Sequence, residues 1–248
     1  MARRSTRATA IILGRTKLRE QDLILTMISE DGSQVRAIAK GARKPGSRLA
    51  ARTELFCESD LLISHGRGLS IVTEAEVRKR HTEISSDIEH VAAASTLCEI
   101  TRLTTYENVT DPFQFQILSK ALDIIGASAS GYNEAIVVAA FAIKVLSHCG
   151  WRPEVDTCIA CGEPSVSRFS VAGGGILCES CAKDVAGAVP ITASQVEWIK
   201  SLINSRFEVL ASCTIDEDTS TFLLRLAHSW CATHLEARLR AFEFYAGM

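Results

Sequence analysis

The hydrophobic pattern of this chain changes period once, near residue 82, and that change limits the folds open to it. Before it, short runs alternate with a period of two. Ala8 to Arg15, Leu23 to Glu30, Gln34 to Lys40, Leu55 to Ser64 and Leu69 to Val77 read as strands. Asp31-Gly32 and Gly66-Arg67-Gly68 supply hairpin signals between neighbouring runs. Five strands with one long excursion between the third and fourth predict a small, partly open β-barrel of the OB type over residues 1–80.

After residue 82 the period becomes that of helices. Ser86-x-x-Glu89 reads as a capping box, with Ile84, Ile88, Val91, Ser95, Cys98 and Leu103 near one face. Asp111-Pro112 opens the next helix, which ends near Gly126. Glu134 to Cys149 is apolar all round until Gly150, the pattern of a helix surrounded by others. Ser194-x-x-Glu197 caps a further helix, and Thr219 to Tyr245 reads as one closing helix. The expected architecture is α+β and multidomain: the barrel, then an all-α domain over 81–248 interrupted by a cysteine-rich insert at 154–187.

That insert contains Cys158-Ile-Ala-Cys161 and Cys178-Glu-Ser-Cys181, with sixteen residues between the pairs. Two C-x₂-C pairs at that distance match a tetrahedral zinc site, each pair aiming two sulfurs at one ion from a tight knuckle. Arg168 to Val171 and Gly175 to Leu177, around Gly173-Gly174, form the expected hairpin of a zinc ribbon. Four thiolates leave no open position for water or substrate, so the single zinc is expected to be structural.

Charge divides the chain more sharply than its net value of −2 suggests. Residues 1–80 hold 16 Lys+Arg against 9 Asp+Glu, and the remainder 11 against 20. Lys40, Arg43, Lys44, Arg48 and Arg52 crowd into KGARKPGSRLAAR, which has no acid and reads as an open, mobile loop broken by Pro45-Gly46. Arg3, Arg4, Arg7, Arg15, Lys17 and the run Arg78-Lys79-Arg80 flank it. A barrel with such a rim suits a phosphate backbone. Phe56 is the one aromatic residue before position 81, so the contact is expected to be electrostatic and indifferent to base sequence.

Other motifs fall short. Gly41-x-x-x-x-Gly46 is followed by Ser47-Arg48 where a phosphate-binding loop needs Lys-Ser/Thr. His81-Thr82-Glu83 lacks the Pro directly before a C-x₂-C that a zinc deaminase requires. His228, His234 and the pair His148-Cys149 read as packing or surface residues. No catalytic constellation emerges, and a non-enzymatic protein is expected, with no small-molecule substrate. The longest apolar run, Ala135 to Ile143, is too short for a bilayer, and the basic N-terminus lacks a signal-peptide cleavage site, so the expected location is the cytoplasm.

The strand order, the KGAR-x-x-x-SR segment and the junction GWRPEVDTCIACGEP together resemble the RecO family of bacterial DNA repair proteins, over essentially the whole chain. The resemblance implies a recombination mediator that binds single- and double-stranded DNA, anneals complementary strands and associates with RecR. It also implies contact with the single-stranded DNA-binding protein SSB and help in loading RecA onto coated DNA. An acidic SSB tail would need a cation beside an apolar cleft, and Arg102 and Lys120 are the only cations between residues 82 and 143. The alternative left open is a zinc-ribbon adaptor that binds RNA or promoter DNA.

Overall fold

The computed structural model describes residues 4–66, 68–127 and 133–248. Arg3 and Arg67 lie outside that set. The chain divides into two compact units, residues 1–126 and 127–248.

The first unit begins with β1 (Ser5–Leu18), β2 (Asp22–Ser29), β3 (Gln34–Ala39), β4 (Glu58–Ser64) and β5 (Ser70–Lys79), closed into a barrel in the order β1-β2-β3-β5-β4. The expected barrel of OB type is present, and it is closed. β1 is long enough to pair with β2 along one half and β4 along the other, while β3 and β5 pair in parallel. A register shift between Ile12 and Gly14 interrupts the ladder with β2 just past Ile11, where pairing with β4 ends. Alanines and larger side chains share the interior. Ala10, Ala37, Ala39 and Ala75 pack among Ile12, Leu25, Met27, Leu61 and Ile63.

Within the basic segment, α1 (Arg48–Arg52) forms because Ser47 accepts a hydrogen bond from the Ala50 N–H, and Leu49 then packs on the barrel interior. The second half of that segment is therefore helical, not an open loop. Three helices complete the unit: α2 (Thr82–Ser86), α3 (Ile88–Thr104) and α4 (Pro112–Gly126).

The break between α2 and α3 corrects two expectations. Asp87 is extended, and its carboxylate caps α3 by accepting from the Glu89 and His90 N–H groups. Ser86 is no cap; its hydroxyl donates to the Glu83 carbonyl. The kink also shifts the helical phase, so Ile84 is buried while Ile88 stands 68% exposed.

The second unit is built around α5 (Glu134–His148), whose residues from Ile136 to Ile143 are fully buried. α6 (Ala193–Asn204), α7 (Phe207–Ala211) and α8 (Glu217–His234) pack on it. α6 is capped by Thr192 in a reciprocal box with Gln195, not by Ser194. The expected single closing helix is two: α8 stops at His234, Glu236 takes a left-handed φ of 49°, and α9 (Arg240–Tyr245) follows. Between α5 and α6 lies a small sheet of β6 (Arg168–Ser170), β7 (Gly175–Leu177) and β8 (Val189–Pro190) in the order β7-β6-β8. Among the described residues, no helix is long and apolar enough to cross a membrane.

Candidate metal centre and nucleic-acid interface

The sheet β6–β8 carries the cysteine knuckles. Gly162, at φ +77°, closes the first turn, with its N–H donating to the Cys158 carbonyl at 2.8 Å. The second turn is held by the Ala182 N–H on the Cys178 carbonyl at 3.0 Å, and the Cys181 N–H points at the Cys178 sulfur. The four sulfurs of Cys158, Cys161, Cys178 and Cys181 lie within 4.8 Å of one another, and Cys161 and Cys178 are 3.8 Å apart. A tetrahedral ion with bonds of about 2.3 Å sets sulfurs about 3.8 Å apart, so this cluster can hold one metal ion.

The protonation chemistry agrees. Backbone N–H groups of Cys178, Ala160 and Cys161 bring the Cys158 thiol down to about 6, against the opposing effect of burial. Cys181 is pushed up to about 12 by the neighbouring sulfurs of Cys178 and Cys161. The Cys158 thiolate forms readily, while Cys161 and Cys181 resist ionisation unless a cation joins them. Leu177, Ile159, Ala182 and Val185 wrap the cluster in apolar contacts.

The basic segment leaves β3 at the same barrel end as the β1–β2 turn, and the two are tied together. The Gly41 N–H donates to Asp22 Oδ1 at 2.8 Å, and the Arg43 N–H donates to the Gln21 carbonyl at 2.9 Å. Arg43 Nη1 also donates to the Glu20 and Arg19 carbonyls, at 2.9 and 3.3 Å. This pins Arg43 while leaving it exposed. Lys40, Lys44 and Arg48 are exposed too, and among the described residues none of these four pairs with a carboxylate. Lys17, near the end of β1, is exposed at the same turn.

Two cations emerge that the sequence reading left aside. Arg19 sits in the β1–β2 turn with φ 57°, and Arg36 stands exposed on β3. The position of Arg19 beside the basic segment was hidden because only the pairing of β3 back along β2 brings the two loops together.

The remaining cations are placed differently. Arg78 pairs with Asp60 at 3.1 Å, and Lys79 pairs with Asp123 at 2.8 Å. Arg80 donates to the Ala51 carbonyl at 2.6 Å, and with Arg15 lies near the buried Cys57. Arg52 donates to the Ala75 carbonyl at 2.9 Å. Arg48 and Arg52 also line, with Arg7, a groove of about 880 Å³ that Glu30, Asp60, Glu74 and Glu76 share. Arg102 is exposed on α3, where a Cβ on Gly14 would lie 3.3 Å from its Nη1. Lys120 is exposed on α4.

A family model described as the Recombination protein O N terminal matches residues 1–81, and the Recombination protein O C terminal matches residues 85–242. The chain belongs to the RecO family. Proteins named DNA repair protein RecO from Desulforamulus reducens and Bifidobacterium longum subsp. infantis are each 30% identical over 239 residues, covering 95% of this chain and 91% and 96% of their own lengths. The RecO protein of Roseiflexus sp. is 30% identical over 98% of this chain and 86% of its own. RecO membership places the closed barrel and the helical unit in DNA repair and recombination.

Proposed function

We propose that this chain is a recombination mediator, not an enzyme. In this reading it binds single- and double-stranded DNA without sequence selectivity, anneals complementary strands, and acts with RecR to load RecA onto SSB-coated DNA. Its setting is the cytoplasm, at the nucleoid. The observation that carries the proposal is the cluster of cations at one barrel end, with no carboxylate partner among the described residues: Lys17, Arg19, Lys40, Arg43 and Lys44 around two loops that hydrogen-bond to each other. Arg48, Arg52, Arg15 and Arg80 extend it, while Arg78 and Lys79 contribute less because Asp60 and Asp123 already neutralise them.

Annealing follows from screening. Two phosphate chains repel, and a surface that neutralises both lowers the cost of their approach without nucleotide hydrolysis. One zinc ion at Cys158, Cys161, Cys178 and Cys181 holds the second unit's ribbon together and takes no part in chemistry. For SSB, we place the contact of its acidic tail at Arg102 and Lys120; a tail peptide that binds Arg102→Glu, Lys120→Glu protein as tightly as wild type removes that assignment.

The test of the main proposal is annealing of complementary oligonucleotides, with and without SSB, across a salt series. If about five phosphates are neutralised on a single strand, log K falls with log salt at a slope near −3.5. Reversing Arg43, Lys44 and Arg48 together flattens it. Sequence-selective binding, or a preference for structured RNA, would favour an RNA or promoter adaptor instead.

A further inference from the structure

The barrel lacks a surface for bases. Phe56, its one aromatic, is 4% exposed. The second unit presents the opposite arrangement. Trp151 follows Gly150, whose φ of +97° turns the chain out of α5, and it is 47% exposed. Its backbone is fixed on both sides. The Trp151 N–H donates to the Leu146 carbonyl at 2.8 Å, and its own carbonyl accepts from Trp230 Nε1 at 3.0 Å.

One face of the indole is covered by His234, with ring centroids 4.7 Å apart and planes 19° from parallel. His234 meets Trp230 edge-on at 4.3 Å, and Trp230 leans on the buried Phe169 at 5.8 Å. Four rings thus run from the ribbon's core to the surface, and about half of the outermost residue is exposed. His148 and Arg152, its near neighbours in the chain, are exposed and basic.

We infer that Trp151 is a stacking platform for one unpaired nucleobase, a second DNA contact outside the barrel. The inference rests on the proposed DNA binding and adds what the barrel cannot supply. A base needs one flat, preorganised ring face and a cation for the adjoining phosphate, and Trp151 with Arg152 offers both. A protein partner would bury a broad apolar patch; here the neighbours Cys149, Gly150 and Arg152 are small or charged. Burial lowers the His234 pKa from its ordinary value, which favours the uncharged ring behind the indole.

The experiment compares an oligothymidylate with an abasic strand of equal length, binding to wild-type, Trp151→Ala and Trp151→Phe full-length protein. The expected result is a loss of about tenfold for Trp151→Ala on oligothymidylate. The abasic strand shows no loss, and Trp151→Phe retains most of the affinity. An unchanged affinity of Trp151→Ala for oligothymidylate, or an equal loss on both strands, overturns the platform while leaving barrel binding intact. If wild-type protein holds neither strand, the broader DNA-binding proposal fails with it.

Discussion

Arg43 and Arg78 carry the same charge and differ in what faces it. Arg43 is oriented by two backbone carbonyls, which accept hydrogen bonds without neutralising it, whereas Arg78 lies 3.1 Å from the Asp60 carboxylate. If the barrel binds single strands as proposed, Arg43→Ala removes one phosphate contact and shallows the log K–log salt slope by about 0.7. Arg78→Ala shallows the slope less than Arg43→Ala does. Titration of the two variants on one oligonucleotide checks the pair. Nothing local in Arg78-Lys79-Arg80 marks the first two as neutralised, because Asp60 and Asp123 come from another strand and another helix. His81 gives a pH prediction at the same scale. Burial lowers its pKa from 6.5, against the pull of Asp123 in the other direction. The unfolded chain therefore binds the extra proton first, so stability is full above 6.5 and is lost as pH falls below it. His81→Gln should show a smaller drop in melting temperature between neutral and mildly acid buffer than wild type.

Among the elements, the ends of helices were harder to read than their existence. Ser86 and Ser194 each begin an S-x-x-E pattern, yet Asp87 and Thr192 are the caps. Several short polar residues adjoin each boundary, and tertiary packing decides which one leaves the helix. Thr192→Ala should cost about 1 kcal/mol, and Ser194→Ala less than about 0.5 kcal/mol, in denaturant melts. The Asp31-Gly32 turn was legible, being a local signal. Its tightest constraint was not: a Cβ on Gly32 would collide with the Asp111 carbonyl, and φ there is +83°. Gly32→Ala should destabilise the protein by more than about 1 kcal/mol, since both strain and collision oppose it. The zinc-type ribbon was the most legible element of all, because its chemistry depends on two short spacings and a hairpin. α1 was the least, since five residues carry too little periodicity to announce a helix.

For the molecule as a whole, two compact units imply two separable responses. Phe169 of the ribbon packs on Trp230 of α8, which ties the ribbon to the core of the second unit. If the four cysteines hold zinc as proposed, a strong chelator should release one ion per chain and lower the melting transition of residues 127–248, read by metal analysis and near-ultraviolet circular dichroism. The salt slope for double-stranded DNA should persist, because the barrel's apolar interior is independent of the cysteines. A protein that keeps its full stability while losing the ion would contradict the scaffold role.

The tied loops at the barrel end have a last consequence. Their cations stand on side chains, not on the peptide groups of a strand edge, so DNA bound there as proposed is not stitched into a ladder. Whatever rests there is gripped by flexible side-chain tips, with no fixed registry along its length. A polymer held in that manner can slip, one repeat at a time, until it finds its match.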